Sequence, residues 1–259
     1  MPKFEKYAQG TPSYVELVTP DQAAAKEFYG PLFGWDLEDV PMGDDGYYVA
    51  VGKGGDAVAG ISGPMPGLEE HAAWWGVYLT VDDVDAVTAR VVEAGGRVDA
   101  EPFDVFDMGR MSAIADPTGA RVNLWQPGTS IGTEVANEPG TPCWNEVITD
   151  DVARATAFYA DVLGVGWEEM QMEGGPAYTC LVVEGRQVGG AMPLMMDGVP
   201  PHWNVYFNVE SVDDTVTKAT GLGGTVVAPA FDVPTVGRLA IVADPQGGMF
   251  CLMEAPTTT

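Results

Sequence analysis

The stretch GTPSYVE at residues 10–16 returns as GTPCWNE at residues 140–146, an offset of 130 positions. The match continues in the same register, since Phe28-Tyr29 corresponds to Phe158-Tyr159. Further along, the offset falls to 128, and DPTG at residues 116–119 corresponds to DPQG at residues 244–247. Self-similarity over this length indicates a duplicated unit, so we expect two related halves.

Each half shows the same order of predicted elements. Alternation around Val15 and Leu17 predicts a half-buried strand, and Asp21 is placed to cap a helix that contains Phe28 and Tyr29. Apolar runs at residues 47–51 and 57–61 flank a glycine-rich turn and predict a hairpin. A further strand, a helix and two more strands are predicted at residues 74–81, 84–94, 110–115 and 120–125, and again at residues 203–209, 212–222, 238–243 and 248–253.

Pro127, Gly128 and Gly132 lie between the two patterned regions. Such residues punctuate chains at boundaries. We therefore predict a first domain at residues 1–127, a linker at residues 128–139 and a second domain at residues 140–259. A chain of 259 residues has room for two domains of ordinary size.

The composition restricts the partners. The chain has 38 acidic and 12 basic residues and a formal net charge of -26, which would repel nucleic acid and anionic lipid. The first ten residues lack the apolar core of a signal peptide, and the three cysteines form no CxxC pattern. We expect a cytoplasmic protein whose partner is a small molecule rather than nucleic acid or a membrane, and a homo-oligomer is compatible with the sequence.

The ordered motifs resemble the vicinal oxygen chelate superfamily, which includes glyoxalases, bleomycin-resistance proteins, fosfomycin-modifying enzymes and extradiol dioxygenases. In the first half the resemblance rests on Asp21, on FYGPLFGW at residues 28–35, on VDDVD at residues 81–85, on AGG at residues 94–96 and on DPTG at residues 116–119. The double length is most similar to glyoxalase-like proteins that are loosely labelled hydroxylases. The resemblance implies an α+β fold of four βαβββ modules forming two tandem domains, each a curved-sheet cup.

The resemblance also implies metal ligands, His or Glu, on the first and last strands of the modules. This chain departs from that pattern. The corresponding positions hold Tyr14, Gly76 and Asn123 in the first half and Trp144, Asn204 and Cys251 in the second. These residue types supply too few ligands for an oxygen-chelating metal, so we predict no metal site and no cofactor. A divalent metal with displaced ligands stays open as an alternative.

Strand alternation predicts which side chains line the cups. Glu16 and Glu146 are the candidate catalytic residues, since a carboxylate in a dry apolar cavity can act as a general base. The candidate ligand-binding residues are aromatic or polar: Tyr14, Trp74, Tyr78, Trp125, Trp144, His202, Asn204 and Tyr206. Aromatic faces with one carboxylate suit a flat or cationic organic ligand.

A structural interpretation competes with this one. The aromatic residues could simply fill a core, with Glu16 and Glu146 accepting hydrogen bonds from backbone groups or from Arg110 and Arg238. His71 is expected in an exposed loop, whereas His202 could lie at the mouth of the second cup.

Three functions follow from these alternatives. The favoured one is a protein that binds a small aromatic or cationic molecule without transforming it. The alternative is an enzyme, either a metal-dependent glyoxalase or dioxygenase with displaced ligands or a metal-free catalyst that uses a cup glutamate. In the third, one half keeps the function and the other is a structural remnant that completes an interface. The second half is then the candidate for activity, because Glu146 has Asn204 and His202 nearby while the first cup has Gly76 at the matching place.

Overall fold

The described part of the chain folds into two eight-stranded mixed sheets and four helices. This computed structural model describes residues 3–42, 46–64, 71–172, 177–195 and 198–256. Within those ranges no helix is both long and apolar enough to cross a bilayer.

The first sheet uses the first half of the chain. Its strands are β1 (Pro12–Val18), β2 (Asp36–Pro41), β3 (Tyr47–Lys53), β4 (Asp56–Ser62), β5 (Trp74–Thr80), β6 (Arg97–Val105), β7 (Gly109–Ala115) and β8 (Arg121–Pro127). Helix α1 (Gln22–Phe33) follows β1, and helix α2 (Val84–Val91) follows β5. The strand order is β2-β3-β4-β1-β5-β8-β7-β6, so two βαβββ modules join where β1 and β5 pair antiparallel.

The second sheet repeats this arrangement. Its strands are β9 (Pro142–Thr149), β10 (Gly166–Met170), β11 (Tyr178–Val183), β12 (Arg186–Pro193), β13 (His202–Asn208), β14 (Thr225–Val233), β15 (Gly237–Ala243) and β16 (Met249–Glu254). Helix α3 (Val152–Leu163) follows β9, and helix α4 (Val212–Gly221) follows β13. The order β10-β11-β12-β9-β13-β16-β15-β14 matches the first sheet strand for strand. The α+β fold of four βαβββ modules is therefore confirmed.

Local sequence signals set the ends of the long helices. The Asp21 carboxylate accepts a hydrogen bond from Ala24 N at the start of α1, and Asp151 caps α3 in the same way through Arg154 N. Gly34 and Gly164 end these helices with φ of 68° and 73°, a left-handed conformation that costs glycine little. The helix that was predicted to begin after Asp21 is confirmed.

The two halves share one hydrophobic core. Helix α1 packs against α4, and α2 packs against α3, so the helices of both halves lie between the sheets. Aromatic rings bridge the halves: Phe33 and Trp75 of the first half each lie about 5 Å from the ring of Phe207. The concave faces of the sheets consequently point away from the shared core.

Two buried hydrogen-bond chains cross this core, and we call them the inter-sheet clasps. In one, Trp75 Nε1 donates to Tyr29 Oη at 3.1 Å, and Tyr29 donates to Asp244 Oδ2 at 2.9 Å. In the other, Trp203 Nε1 donates to Tyr159 Oη at 2.9 Å, and Tyr159 donates to the DPTG-turn aspartate, Asp116, at 3.1 Å. Each clasp joins a helix of one half to the DPxG turn of the other.

The other oxygen of each clasp aspartate organises its own turn. Asp116 Oδ1 accepts hydrogen bonds from the backbone N–H groups of residues 118–120, and Asp244 Oδ1 accepts from Gln246 N and Gly248 N. Both aspartates are 3% exposed. The DPxG motif therefore has a structural role here, since its aspartate accepts hydrogen bonds both from its own turn and from a tyrosine of the other half.

We expect Tyr29→Phe to lower the free energy of unfolding by about 1–3 kcal/mol, because it leaves Asp244 Oδ2 and Trp75 Nε1 buried without their partner. Tyr159→Phe should cost a similar amount. Urea denaturation measures both. Tyr47→Phe is the matched control, since the Tyr47 hydroxyl bonds to no described residue. A cost for Tyr29→Phe no larger than that for Tyr47→Phe would contradict a stabilising role of the clasp.

Candidate functional site

On the central strands β1 and β9, successive side chains point alternately to the shared core and to the cup. Val15 and Leu17 are 1% and 0% exposed in the shared core, whereas Tyr14 and Glu16 lie on the opposite, concave face. On β9, Val147 is likewise buried in the core, and Trp144 and Glu146 point to the concave side. The predicted division of these two strands is confirmed.

Glu16 lies at the centre of the first cup with three hydroxyl donors around it. Ser62 Oγ donates to Glu16 Oε1 at 2.6 Å. Tyr48 Oη and Tyr78 Oη donate to Glu16 Oε2 at 3.3 and 3.2 Å. The carboxylate is thus satisfied by side chains from three different strands.

Aromatic rings surround this carboxylate. Tyr14 and Tyr48 share a hydroxyl–hydroxyl hydrogen bond of 2.6 Å, and the rings of Tyr14 and Tyr78 meet edge to face at 5.6 Å. The Tyr78 ring lies 6.3 Å from that of Trp125, whose Nε1 donates to Ser130 O at 3.0 Å. Trp74 is half-buried further along β5, with its ring 6.4 Å from the ring of the exposed His71. The four aromatic residues predicted for the first cup therefore lie on or beside one concave surface.

The second cup is built on the same plan around Glu146. Tyr178 Oη donates to Glu146 Oε2 at 2.6 Å, and Tyr206 Oη donates to Glu146 Oε1. Trp144 Nε1 donates to Tyr178 Oη at 2.8 Å, and Asn204 on β13 lies directly across from Glu146 on β9. The Glu–Tyr–Tyr group is therefore present twice, as Glu16 with Tyr48 and Tyr78 and as Glu146 with Tyr178 and Tyr206.

His202 lies at the edge of the second group. Its Nε2 is 3.1 Å from Asn204 Oδ1, and its Nδ1 is 2.9 Å from Pro200 O. Asn204 therefore links the imidazole to Glu146. The expected proximity of His202 and Asn204 on one face is confirmed.

Small residues on neighbouring strands make room for the tyrosines. Gly60 pairs with Glu16 across β1 and β4, and Gly190 pairs with Glu146 across β9 and β12. A Cβ at Gly60 would lie 1.7 Å from Tyr48 Oη, and one at Gly190 would lie 1.9 Å from Tyr178 Oη. Both positions must stay glycine for the tyrosines to reach the carboxylates.

Tyr48 and Tyr178 were missed by the sequence analysis. A signal for them existed, because they are 130 positions apart, as Glu16 and Glu146 are. Within the structural interpretation, the alternative in which Arg110 and Arg238 bond the glutamates was wrong. Each arginine instead bridges two aspartates of its own half, Arg110 with Asp85 and Asp104, and Arg238 with Asp213 and Asp232.

The two cups differ in depth. Glu16 is only partly buried, whereas Glu146 is 2% exposed. Beside Glu146 the second cup contains a small apolar cluster of Tyr206, Leu239 and Cys251. The first cup is therefore the more accessible one, and the second is the drier environment.

Burial raises the pKa of Glu16 and of Glu146 above the ordinary value for glutamate. The tyrosine hydrogen bonds oppose that increase in both cups, and so does the nearby His202 for Glu146. Burial and the neighbouring carboxylate raise the pKa of Tyr78 and Tyr206 too. The tyrosines hence remain hydroxyl donors while the glutamates hold protons more readily than usual.

The donor set does not fit the divalent metal that the resemblance implied. In the first cup the ligand positions hold Tyr14, Gly76 and Asn123, none of which is a His or a carboxylate. Glu16, which lies outside these positions, supplies the carboxylate of this cup. In the second cup these positions hold Trp144, Asn204 and Cys251, and one buried thiol without His or a carboxylate at the other positions is a poor donor set for an oxygen-chelating metal. Among the described residues, no group of three or more His, Cys, Asp or Glu side chains could hold a metal ion.

Comparison with known proteins identifies the family. The profile of the glyoxalase/bleomycin resistance protein/dioxygenase superfamily matches residues 11–124, and that of the glyoxalase-like domain matches residues 145–253. The chain belongs to this glyoxalase superfamily. The resemblance inferred from the motifs is thereby confirmed, and the two profile matches fall on the two sheets.

Two relatives match this chain over nearly their full length. CFP32 of Mycobacterium tuberculosis, provisionally named a glyoxylase, is 47% identical over 256 residues, which is 98% of both chains. The anthracycline biosynthesis protein DnrV of Streptomyces peucetius is 36% identical and covers 96% of this chain and 94% of its own. The tandem architecture is thus shared with these relatives.

Solved structures show the same fold. The Mn(II)-bound glyoxalase from Novosphingobium aromaticivorans superimposes with a TM-score of 0.65 at 19% identity and covers 95% of this chain and 82% of its own. A catechol 2,3-dioxygenase superimposes with a TM-score of 0.62 at 12% identity and covers 98% and 92% of the two chains. At such identities the similarity concerns the fold alone.

The raised pKa of Glu146 predicts a pH-dependent effect of Glu146→Gln on stability. A carboxyl whose folded-state pKa is raised contributes stability below its unfolded pKa, and that contribution is lost as the pH rises through the folded pKa. The variant lacks this titration. The free energy of unfolding of the variant minus that of wild type should therefore increase as the pH rises from about 4 to about 8, which means that the variant becomes relatively more stable.

Urea denaturation across that pH range measures the trend. Asp213→Asn is the control of opposite sign, because the hydrogen bonds from Arg238 lower the pKa of Asp213. The stability of Asp213→Asn relative to wild type should decrease with rising pH only at the acid end, below about pH 5, and stay constant above it, because a carboxyl with a lowered pKa titrates there. A Glu146→Gln difference that is flat, or that follows the Asp213→Asn trend, would show that the pKa of Glu146 is not raised.

Proposed function

We propose that this glyoxalase-superfamily protein binds a flat or cationic organic molecule in its cups without a metal at the family's usual positions. The observation that carries the proposal is the repeated Glu–Tyr–Tyr group on each concave face. A carboxylate enclosed by aromatic rings can accept a charge-assisted hydrogen bond from a ligand N–H group. The surrounding rings supply stacking and cation–π contacts.

The first cup is the better entry point for such a ligand. Glu16 and Tyr14 are both partly exposed, so a ligand can reach the carboxylate and a ring face without unfolding the sheet. Tyr48 and Tyr78 hold Glu16 in place from two sides. Preorganised groups lose little freedom on binding, which favours affinity.

The name of one relative suggests a ligand class to test first. DnrV is named an anthracycline biosynthesis protein and aligns over nearly the whole of this chain. Anthracyclines combine a flat fused-ring system with an amino sugar, a combination that suits rings set around a carboxylate. We therefore choose a fluorescent anthracycline as the first probe.

We expect wild-type protein to quench the fluorescence of the anthracycline in a saturable titration. Glu16→Gln should weaken binding by about tenfold or more, because it removes the charge that pairs with the amino group. Glu27→Gln makes the same change on the exposed face of α1 and should leave binding unchanged. Equal affinities of all three proteins would contradict binding at Glu16.

A parallel titration of Glu146→Gln separates the two cups. If only the second half is active, Glu146→Gln will impair binding or turnover and Glu16→Gln will not, whereas equal effects would overturn that hypothesis. The partial exposure of Glu16 favours the first cup for binding. The buried position of Glu146 makes its contribution dependent on opening of the second cup.

A second candidate function is metal-free acid–base catalysis in the second cup. The buried Glu146, with its raised pKa and its link through Asn204 to His202, has the environment of a general base. Elemental analysis of untagged protein, followed by glyoxalase and dioxygenase assays with and without added Mn²⁺, Fe²⁺, Ni²⁺ or Zn²⁺, separates the candidates. Stoichiometric metal or metal-dependent turnover would overturn the metal-free proposal, and turnover without metal that Glu146→Gln abolishes would favour catalysis over binding alone.

A further inference from the structure

In the first half, β1 and β4 separate at their amino-terminal ends, and the linker lies in the gap between them. β1 and β4 pair in parallel from Glu16 and Gly60 onward. Before that point the linker passes between them: Thr133 N donates to Ser13 O at 2.8 Å, and Thr133 Oγ1 donates to Val58 O at 2.7 Å. An extended segment of the chain therefore bridges the two strand ends.

Glu134 completes this bridge on the β4 side. Its backbone N donates to Ala57 O at 2.7 Å, and its Oε2 accepts from Ala57 N at 2.9 Å. The segment thus uses a threonine hydroxyl, a glutamate carboxylate and its own backbone to satisfy the free groups at the start of β4.

The second half has the same gap without such a segment. β9 and β12 pair in parallel from Glu146 and Gly190 onward, the positions that correspond to Glu16 and Gly60. No described segment takes the place of Thr133 and Glu134 between them. A groove of about 1190 Å³ lies there instead, and we call it the β9–β12 slot; its lining includes Cys143, Asn145, Arg186, Gln187, Val188 and Tyr7.

Two polar atoms in the wall of this slot are buried without a partner in the described parts of the chain. They are Ser13 Oγ and Asn145 Oδ1, in residues that are 2% and 7% exposed. Asn145 stands where the first half has the core residue Val15. A buried polar group without a hydrogen bond is costly, so an amide at this place indicates an external partner.

The charge of the slot differs from that of the filled gap. Asp56 at the start of β4 pairs with Lys3, whereas the corresponding position on β12 is Arg186. Arg186 is exposed and forms no ion pair with a described residue, and Lys6, which also lines the slot, is likewise unpaired in that part of the chain. Asp82 and Glu184 also line the slot, so the charge that distinguishes it from the filled gap is that of Arg186 in place of Asp56.

We propose that the β9–β12 slot binds an extended acidic segment of a partner polypeptide. The segment lies between the strand ends as Thr133 and Glu134 do in the first half, and its backbone bonds to the start of β12. Its carboxylate faces Arg186, and its backbone or side-chain N–H groups reach Asn145. Strand addition of this kind takes its affinity from main-chain hydrogen bonds and its specificity from the flanking side chains.

The linker supplies the probe for a direct test. A fluorescein-labelled peptide of residues 130–137, SIGTEVAN, is titrated with the full-length protein by fluorescence anisotropy. We expect saturable binding that weakens about fivefold or more in Arg186→Asp, which restores the residue type of Asp56. Arg154→Asp makes the same charge change on exposed α3 and should bind as wild type does. The peptide with its glutamate replaced by glutamine should bind wild type more weakly.

Hydrogen exchange locates the bound peptide. We expect protection of amides at residues 186–188 on peptide addition and no added protection at residues 56–58, where the linker already lies. Absence of saturable binding up to about 1 mM peptide would overturn the proposal. So would equal affinity of wild type and Arg186→Asp, or protection confined to the cups.

A second copy of the chain is the competing occupant. Sedimentation at several protein concentrations, with hydrogen exchange at each, tests for it. Self-association that by itself protects residues 186–188 would overturn the proposal in favour of a dimer interface, whereas a monomer with an exposed slot supports it. Anthracycline binding at Glu16 is measured separately, so this test does not depend on the proposed function of the cups.

Discussion

The arrangement of both cups depends on the two buried hydrogen-bond chains that tie a tyrosine of each half to an aspartate of the other. Tyr29 reaches Asp244, and Tyr159 reaches Asp116, with a tryptophan donating to each tyrosine. Because a buried carboxylate is stable only with its hydrogen bonds made, the aspartates fix the distance and orientation of the two helical layers. The sheets then have one remaining free face each, the concave one. The clasps thus determine that both cups open away from the shared core.

The two duplicated halves differ in which of their surfaces is accessible, the cup or the gap between strand ends. Both retain a glutamate between two tyrosines, with a glycine that gives one tyrosine room. The first cup left its glutamate partly exposed, while the second surrounds Glu146 with Tyr206, Leu239 and Cys251. The gap between the strand ends shows the opposite difference: the linker closes it in the first half, whereas in the second half it is an open groove. One half therefore offers the more accessible cup and the other the more accessible strand ends.

Local patterns predicted much of the fold. The repeat at residues 10–16 and 140–146 indicated two halves, Asp21 marked a helix start, and alternation on β1 placed Glu16 opposite Val15. Tyr48 was not found, because the sequence shows only that it belongs to a hairpin and not that the hairpin reaches the carboxylate. Arg110 was assigned the wrong partner for a related reason. The structural interpretation offered it as a partner of Glu16, but the exposed aspartates Asp85 and Asp104 bind it once α2 and β6 are in place, and an arginine loses less hydration there.

The sequence by itself determined the duplication, the order of strands and helices, the residue types on each strand face and the departure from the family's metal-ligand positions. These properties depend on local periodicity and on the chemical nature of single side chains. Only the tertiary structure decided that the DPxG aspartates bind the opposite half, that Tyr48 and Tyr178 join the glutamates, and that an unfilled slot lies between the starts of β9 and β12. Those features depend on how two sheets pack, and hydrogen bonds between residues more than 200 positions apart, such as Tyr29 and Asp244, leave no local pattern in one sequence.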